Sequence, residues 1–271
     1  DVQAGNLSVD SILSGSSGMI KTGAGVLSLS GDNTYIGITR ISAGSLTLAG
    51  SLTSDSIEIA DGAGFFNLSG GLTNSAQITS FGTLTINSDE TVATYIQNGS
   101  GVLNGSATLT TTGGATLNGG TVSGSLLGNV TSTGDVLVSG SISGGNLSLT
   151  GGTLTLSGTS HHSLVDISAP ATLLVTNGGL DSAAAITNAG TFTIDSDQTV
   201  ATYVQNGSGV LNGSATLTAT GGATLNGGTV SGSLLGDTTS MGEVLVSGSI
   251  AGGNLSLTGG TLTLSGTSHH S

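Results

Sequence analysis

The chain contains no cysteine, which excludes disulfide bonds and thiol chemistry as contributors to its fold or function. It also lacks any run of about 18 apolar residues, the length that a membrane-spanning helix needs. We therefore expect no membrane insertion by this segment. A chain without cysteine is compatible with any cellular compartment, so this absence does not choose one.

Charged residues are scarce: they make up 6% of the sequence, against roughly 25% in an average soluble domain. Lys21 and Arg40 are the only 2 cations, set against 15 acids, and the formal net charge is −13. Proteins that bind nucleic acids or anionic membranes need clustered lysine and arginine. The sequence therefore predicts no nucleic-acid partner and no attraction to anionic membranes.

Aromatic residues (3%) and proline (1 residue) are also rare, whereas glycine reaches 49 residues and serine and threonine are abundant. Disordered segments share this abundance of small residues, but disorder usually accompanies low hydrophobicity and high charge. Here 35% of the residues are hydrophobic and the mean hydropathy is positive at +0.32. We expect an ordered chain whose surface is covered by hydroxyl groups rather than by charges.

Most of the sequence consists of two copies of one block, residues 56–163 and residues 164–271, offset by 108 positions without insertion or deletion. The segments 83–163 and 191–271 differ at ten positions, for example Asn87/Asp195. Repetition at a fixed period is typical of repeat arrays. We predict three segments, residues 1–55 and the two copies, in one continuous solenoid, and expect the chain to be a slice of a longer array.

Short alternating segments predict strands rather than helices. In Val26-Leu-Ser-Leu29 and Ser45-Leu-Thr-Leu48 an apolar residue recurs at every second position, which is the period of a strand with one buried face. Glycine, asparagine and aspartate, which favour turns, separate these segments. The predicted inward residues are Leu7/Val9, Leu27/Leu29, Leu46/Leu48, Phe66/Leu68, Leu84/Ile86, Val136/Val138, Leu154/Leu156, Leu174, Phe192/Ile194, Val244/Val246 and Leu262/Leu264.

The spacing of these pairs predicts the length of a coil. Successive pairs follow one another at nearly equal intervals, except for one much longer gap after Leu84 and another after Phe192. Each gap could hold two long coils or three short ones, so each copy would have five or six coils. Coils stacked about 4.8 Å apart would pair their strands in parallel and place leucine on leucine. We predict an all-β fold, a single-chain right-handed parallel β-helix with triangular coils of about 18–20 residues.

One stretch resembles a known repeat. Residues 21–48 contain Lys-Thr-Gly-x-Gly, Leu-x-Leu-Ser-Gly, Asn-Thr-Tyr-x-Gly and Ala-Gly-x-Leu in that order, as does the autotransporter-associated β-strand repeat in passenger domains of large Gram-negative surface adhesins. The resemblance implies a right-handed parallel β-helix that is displayed outside the cell at the outer membrane. The two long copies are similar to this family only in their general composition and short alternating segments.

The histidine pairs His161-His162 and His269-His270 are the most conspicuous candidates for chemistry. Adjacent residues of a strand point to opposite sides, so one pair is a poor two-ligand site. The two pairs are separated by one full copy of the block and cannot share a metal. We interpret both pairs as polar corners, with a metal that bridges neighbouring molecules as the alternative. We assign no catalytic, cofactor-binding or metal-binding residue.

Acidic residues cluster at Asp89-Glu90 and at Asp195 and Asp197. A β-helical enzyme that cleaves polysaccharides would need several carboxylates from successive coils, and here the second cluster repeats the first. We interpret both clusters as turns that are capped by their own side chains. Calcium binding is the alternative, because carboxylates without cations nearby suit a hard ion.

Threonines recur at strand spacing, as in Thr153-Leu-Thr155, and would display hydroxyl groups on an outer face. Ice-binding solenoids display flat ladders of such pairs, but the irregular spacing between coils favours a role in strand formation and solubility. The sequons Asn98-Gly-Ser100 and Asn206-Gly-Ser208 could carry sugars.

These features together predict a non-enzymatic extracellular structural or adhesive protein, a segment of a long secreted solenoid that acts as cell-surface adhesin, stalk or self-associating filament. A catalytic site is normally unique, whereas the conspicuous features here occur twice. We expect no cofactor; the expected partners are further copies of the chain, end to end or side by side, and a cell-surface or glycan target. The alternatives are a β-helical polysaccharide-acting enzyme and an ice- or glycan-binding solenoid that uses its threonine faces. We interpret Phe66, Phe81 and Phe192 as interior residues.

Overall fold

The structure is a computed structural model and describes residues 5–270. Regular secondary structure in this part of the chain consists of 38 β-strands without any helix. The strands are short, because glycine-rich turns interrupt the chain every few residues. Strands of successive coils pair in parallel, and the chain forms an all-β parallel solenoid of about 14 turns with about 19 residues per turn. The predicted fold class is confirmed.

The described residues divide into two compact units, residues 5–130 with 140–142 and residues 131–139 with 143–270. The strands up to the boundary are β1 Asn6–Val9, β2 Met19–Lys21, β3 Val26–Leu29, β4 Thr39–Ile41, β5 Ser45–Leu48, β6 Ser56–Ile59, β7 Gly64–Asn67, β8 Gln77–Ser80, β9 Thr83–Ile86, β10 Glu90–Val92, β11 Thr94–Gln97, β12 Val102–Asn104, β13 Thr108–Thr111, β14 Ala115–Leu117, β15 Gly120–Val122, β16 Ser125–Leu127 and β17 Val130–Ser132.

The strands that follow are β18 Val136–Val138, β19 Ser141–Leu149, β20 Thr153–Leu156, β21 Thr159–Ile167, β22 Thr172–Val175, β23 Gly179–Leu180, β24 Ala185–Asn188, β25 Thr191–Ile194, β26 Gln198–Val200, β27 Thr202–Asn206, β28 Val210–Asn212, β29 Thr216–Ala219, β30 Ala223–Asn226, β31 Gly228–Val230, β32 Ser233–Leu235, β33 Thr238–Ser240, β34 Val244–Val246, β35 Ser249–Ala251, β36 Leu255–Leu257, β37 Leu262–Leu264 and β38 Thr267–His269.

Strands of the first unit belong to three faces that the chain visits in turn. Face 1 consists of β1, β3, β5, β7, β9, β12 and β15. Face 2 starts with single bridges that join Asn33 to Leu52 and Leu52 to Leu72, and continues in β10, β13 and β16. Face 3 consists of β2, β4, β6, β8, β11 and β14. Each coil therefore contributes one segment to each face, as a triangular coil requires.

The second unit follows the same order. Face 1 consists of β18, β20, β22, β25, β28, β31, β34 and β37, and face 3 of β24, β27, β30, β33 and β36. Face 2 consists of the sheet β26, β29, β32, β35 and β38, preceded by β23, which lies against β26. β21 is longer because it runs through two faces, pairing with β23 at its start and with β24 at its end.

The interior of face 1 is a vertical stack of apolar side chains. Leu27, Leu46, Phe65 and Leu84 occupy one register position in successive coils, and all four are buried. One coil alone could not remove these side chains from water, whereas stacking does so at a gain of about 25 cal/mol per Å² of apolar surface. The stack confirms the predicted ladder at Leu27, Leu46 and Leu84, and Phe192 is likewise buried as predicted.

The predicted inward residues of the first and last described coils are less covered. Leu7 pairs with Leu27 and Leu264 pairs with Val246, so both are in the inward register. They are nevertheless 48% and 45% exposed, because each is covered by a described coil on one side only. Burial of an inward residue therefore depends on a coil above it as well as below it.

Three predicted inward positions, in two stretches of the chain, were wrong by one residue. The first two are Phe66 and Leu68, in and directly after β7. The structure buries Phe65 and Asn67, whereas Phe66 lies on the outer face and Leu68 is exposed. Two consecutive phenylalanines fit the period-2 pattern in either phase, so the pattern alone could not choose. Pairing with the coils before and after decided the phase.

The same error occurs in β22, for which the sequence placed Leu174 inside. The structure buries Leu173 and Val175, and Leu174 lies on the outer face between Thr155 and Thr193. Three consecutive apolar residues again left the phase open. A one-residue shift would have moved every inward side chain of this strand to the surface.

Each long gap between predicted pairs holds three coils. Phe192, Leu211, Val230 and Val246 follow one another in successive strands of face 1. From β18 to β34, which carry the same sequence in the two copies, face 1 advances by six strands. Each copy therefore has six coils, the higher of the two predicted numbers. The right-handed winding and the segment boundaries at residues 56 and 164 stay predictions.

Glycine is required where one coil lies directly against the next. Gly105 and its counterpart Gly213 have positive φ angles of 117° and 114°. A Cβ atom at either position would lie 2.0 Å from the carbonyl oxygen of Ile86 or Ile194 in the preceding coil. Only glycine accepts both the left-handed backbone and this close approach.

Candidate functional site

The first histidine pair lies inside a strand rather than at a corner. His161 is exposed and His162 is buried, with its Nδ1 atom 3.1 Å from Ser160 Oγ. The two rings thus point to opposite sides of β21, as predicted, and cannot bind one metal ion together. The next two residues, Ser163 and Leu164, are both exposed and mark the change from face 2 to face 3. The corner follows the pair instead of containing it.

The partners of the histidines are ordinary protein groups. His161 Nδ1 lies 4.0 Å from Asp181 Oδ2, between two largely exposed side chains. In the second pair His269 is exposed, and His270 Nδ1 lies 2.8 Å from the carbonyl oxygen of Gly252. Among the described residues no group of three or more histidine, cysteine or carboxylate side chains could hold a metal ion.

Four aspartates cap strands of the following coil. Each accepts a hydrogen bond from a backbone N–H group that lies 17 to 19 residues later in the chain. These bonds run from Thr108 to Asp89 (2.8 Å), from Thr153 to Asp135 (2.9 Å), from Thr216 to Asp197 (2.8 Å) and from Asn254 to Asp237 (2.8 Å). For Asp89 and Asp197 the caps exist, but the donor belongs to the following coil, so the expectation that these acids cap their own turns was wrong.

Glu90 is buried and fully partnered. Its Oε1 atom accepts hydrogen bonds from Asn67 Nδ2 at 2.6 Å and from Ser88 Oγ at 3.2 Å, and its Oε2 atom accepts one from the N–H of Leu72 at 2.8 Å. A carboxylate taken out of water needs such partners to offset its lost hydration. Glu90 therefore links neighbouring coils.

The second copy has a different pair at the same two positions, Val175 and Gln198. Gln198 Oε1 accepts from the N–H of Leu180 at 2.9 Å, and its Nε2 donates to the carbonyl oxygen of Gly178 at 3.0 Å. An amide brings its own donors and needs no asparagine beside it, so valine fits there. Valine and glutamine are therefore a compatible combination at these two positions.

Two tyrosines lie inside face 3. Tyr95 donates to Gln97 Oε1 at 2.9 Å, and Gln97 Nε2 donates to the carbonyl oxygen of Gly119 in the next coil at 2.8 Å. The second copy repeats the first bond between Tyr203 and Gln205 at 2.8 Å. Burial raises the pKa of both tyrosines above its usual value, because the phenolate would have to form away from water. The sequence signal was Tyr-x-Gln in the inward phase, which a pattern of apolar pairs does not reveal because glutamine is polar.

Lys21, one of the two cations, is buried. Its Nζ atom donates to the carbonyl oxygens of Thr22 (2.9 Å), Gly23 (2.7 Å) and Ala43 (3.0 Å). Burial lowers the pKa of Lys21, because the ammonium group loses its hydration. The lysine of the Lys-Thr-Gly-x-Gly motif thus ties one coil to the next, a role that sequence reasoning did not assign.

The threonine faces are irregular, as predicted. On face 1, Thr153, Thr172 and Thr191 form an outward row, which Val210 then interrupts. The neighbouring row is interrupted at Leu174. A flat lattice of hydroxyl groups is therefore absent from this part of face 1.

The two sequon asparagines are half-buried parts of an inter-coil ladder. Asn98 Oδ1 accepts a hydrogen bond from Asn118 Nδ2, and Asn206 Oδ1 accepts one from Asn226 Nδ2, both at 2.8 Å.

A hollow of about 360 Å³ lies on face 3 of the first unit, lined by Arg40, Ser42, Glu58, Ile59, Ala60, Thr79 and Phe81. Arg40 and Glu58 face each other across β4 and β6, with Nη2 2.5 Å from Oε2. Phe81 is 47% exposed, so its interpretation as an interior residue was wrong. Ile78 and Ser80 point inward, and the period of two therefore turns Phe81 outward.

The described residues contain no helix, so none among them is long and apolar enough to cross a membrane.

Comparison with known families gives a match to the passenger-associated-transport-repeat model over residues 19–48. This segment extends from β2 to β5 and contains Lys21 with its carbonyl partners. The comparisons found no similar curated protein and no similar solved structure. The repeat and the parallel solenoid together support a secreted repeat protein. Residues 19–48 thus match the passenger-associated-transport repeat, a type of repeat that is typical of autotransporter passenger domains.

Proposed function

We propose that this chain is a non-enzymatic segment of a secreted, surface-displayed solenoid that serves as a scaffold for adhesion and self-association. One observation carries the proposal: the polar side chains that could have formed a catalytic site bond to neighbouring coils instead. Asp89, Glu90 and their counterparts Asp197 and Gln198 are engaged in this way. The passenger-associated-transport repeat supports secretion and display.

Surface display is tested by antibody labelling of the native host cells. An antibody against residues 56–271 should label intact cells as strongly as permeabilised ones. Labelling that requires permeabilisation would contradict the proposal.

Self-association is supported by apolar side chains that are exposed at the same place in both copies. Leu137 and Leu245 are 40% and 41% exposed on the outer side of face 1. Their partners in neighbouring coils are uncharged: Leu137 pairs with Thr155, and Leu245 pairs with Thr229 and Thr263. Similar leucines recurring with the repeat would let parallel copies meet at regular intervals.

Sedimentation velocity over a wide concentration range tests self-association. The purified chain should form larger species as its concentration rises, and the double variant Leu137→Thr/Leu245→Thr should form fewer, because threonine keeps the strand but removes the apolar contact. A chain that stays monomeric at high concentration would refute self-association and leave the display role standing.

The non-enzymatic part has its own test. The chain should release no reducing ends or unsaturated products from a panel of neutral and acidic polysaccharides. Product release that survives purification of the chain to homogeneity would overturn this part.

A further inference from the structure

The geometry points to a binding site for a neutral saccharide in the hollow on face 3 of the first unit, formed by Arg40, Glu58 and Phe81. This inference rests on the adhesive part of the proposed function and deepens it by naming a ligand class. Unlike the other conspicuous features, these three side chains have no full counterpart in the second copy. They therefore form the one-off cluster that a binding site requires.

The strands place the three groups side by side. Arg40 pairs with Glu58, and Glu58 pairs with Thr79, in successive coils of face 3. Phe81 follows β8 directly and is held by a hydrogen bond of 2.8 Å from its N–H to the carbonyl oxygen of Ile59. The exposed ring therefore stands on a rigid strand end beside the ion pair.

The chemistry of the hollow matches a sugar ring. A pyranose has an apolar face of C–H groups, which an aromatic ring can cover, and an edge of hydroxyl groups, which need donors and acceptors. Phe81 supplies the ring. Arg40 supplies planar N–H donors and Glu58 supplies acceptor oxygens. Ser42 and Ala60 are small and leave space beside Phe81.

Charge and size restrict the ligand further. The positive charge of Arg40 is neutralised by Glu58 at 2.5 Å, and the chain as a whole has a net charge of −13. An anionic ligand would therefore be repelled. The volume of about 360 Å³ lies at the lower end of small-ligand sites, which span roughly 300–1,000 Å³. It suits one or two sugar rings.

The second unit contains a natural control. A hollow of about 280 Å³ in the second unit is lined by Ser148, Asp166 and Thr187, among others. Ala189 stands where Phe81 stands in the first copy, and the N–H of Ala189 makes the same bond, to Ile167 at 2.7 Å. Three lining positions of the two hollows correspond, whereas the aromatic ring and the cation are missing from the second hollow.

The test uses the full chain and an array of immobilised neutral mono- and disaccharides, followed by titration calorimetry with the strongest ligand. We expect saturable binding with one site per chain. Phe81→Ala should weaken binding about tenfold and leave the melting temperature unchanged, because alanine occupies the same place in the second copy. Phe81→Tyr keeps the ring and should bind within about twofold of the parent.

Grafting provides a gain-of-function control. The double variant Ser148→Arg/Ala189→Phe should build a second site and raise the stoichiometry from one to two. Absence of binding to every neutral saccharide, or binding that is unchanged in folded Phe81→Ala, would overturn the inference. So would a Phe81→Ala variant that loses self-association while the chain binds no sugar, since the hollow would then be a protein contact. None of these outcomes affects the antibody labelling that tests display.

Discussion

The most distinctive residues of this solenoid are polar ones whose side chains point inward. Lys21, Glu90 and Gln97 are buried, and each bonds to a group of another coil. An unsatisfied polar group in the interior would cost about 1–3 kcal/mol. Such residues therefore specify how coils fit together, because a shifted coil would leave them without partners.

The Asn67–Glu90 pair gives a prediction at this scale. In Glu90→Gln the new amide would turn an N–H donor toward Asn67 Nδ2, which now donates to Glu90 at 2.6 Å. We expect the free energy of unfolding to fall by about 1–3 kcal/mol. The midpoint of urea unfolding measures it.

The control is the double variant Asn67→Val/Glu90→Gln, which copies Val175 and Gln198 of the second copy. It should recover to within about 1 kcal/mol of the parent, because the two positions are coupled. A double variant that merely adds the losses of the two single variants would contradict this explanation.

The buried tyrosines predict an alkaline limit to stability. Burial raises the pKa of Tyr35, Tyr95 and Tyr203 in the folded chain above the ordinary value of about 10. The contribution of these tyrosines to the free energy of unfolding is complete below pH about 10. Above that pH it is lost by up to about 1.4 kcal/mol per pH unit for each tyrosine. The pKa of Lys21 is lowered, so its contribution to the free energy of unfolding rises with pH. This opposes the effect of the tyrosines, but one lysine acts against three tyrosines.

Near-ultraviolet absorbance of phenolate and circular dichroism, followed over the same alkaline titration, measure this effect. The phenolate signal should rise only where the strand signal is lost. Phenolate that forms at pH about 10 in a chain whose circular dichroism is unchanged would show that the tyrosines are accessible to solvent.

At the scale of the strand, register decides which neighbours matter. β22 contains adjacent leucines that differ only in direction: Leu173 is buried and Leu174 lies on the outer face. Leu173→Ala should lower the free energy of unfolding by about 2–5 kcal/mol, because it leaves a cavity between coils. Leu174→Ala should cost less than about 1 kcal/mol. Urea unfolding of both variants measures the difference, and equal losses would contradict the register described here.

At the scale of the whole molecule, the strict offset between the copies predicts that one of them can be removed. Deletion of residues 98–205 joins Gln97 to Asn206 and restores the natural Gln205-Asn206 sequence. Since the stability of a repeat protein is a sum of local terms, the shortened chain should keep its strand content per residue. Circular dichroism checks this. Deletion of residues 98–196, which ends half a coil out of phase, is the matched control and should fold poorly.

Sequence periodicity predicted the coil length, the parallel stacking and the inward position of residues such as Leu46 and Leu84, because every coil repeats the same apolar alternation. The ordered motifs of residues 21–48, rather than periodicity, indicated the repeat, and the family match covers residues 19–48. Periodicity failed at Phe65 and Leu173, where consecutive apolar residues fit both phases. It also failed at Phe81, which a strict count of two from Ile78 would have turned outward.

Composition and period alone determined that the chain is a stack of short parallel strands, because a coil of about 19 residues can bury its leucines only against similar neighbours. Tertiary structure decided what each polar residue does. Asp89 and Thr108 are 19 residues apart in sequence and become hydrogen-bonded neighbours only when the coils stack. Arg40, Glu58 and Phe81 likewise come from three coils, and only the register between those coils brings them around one hollow.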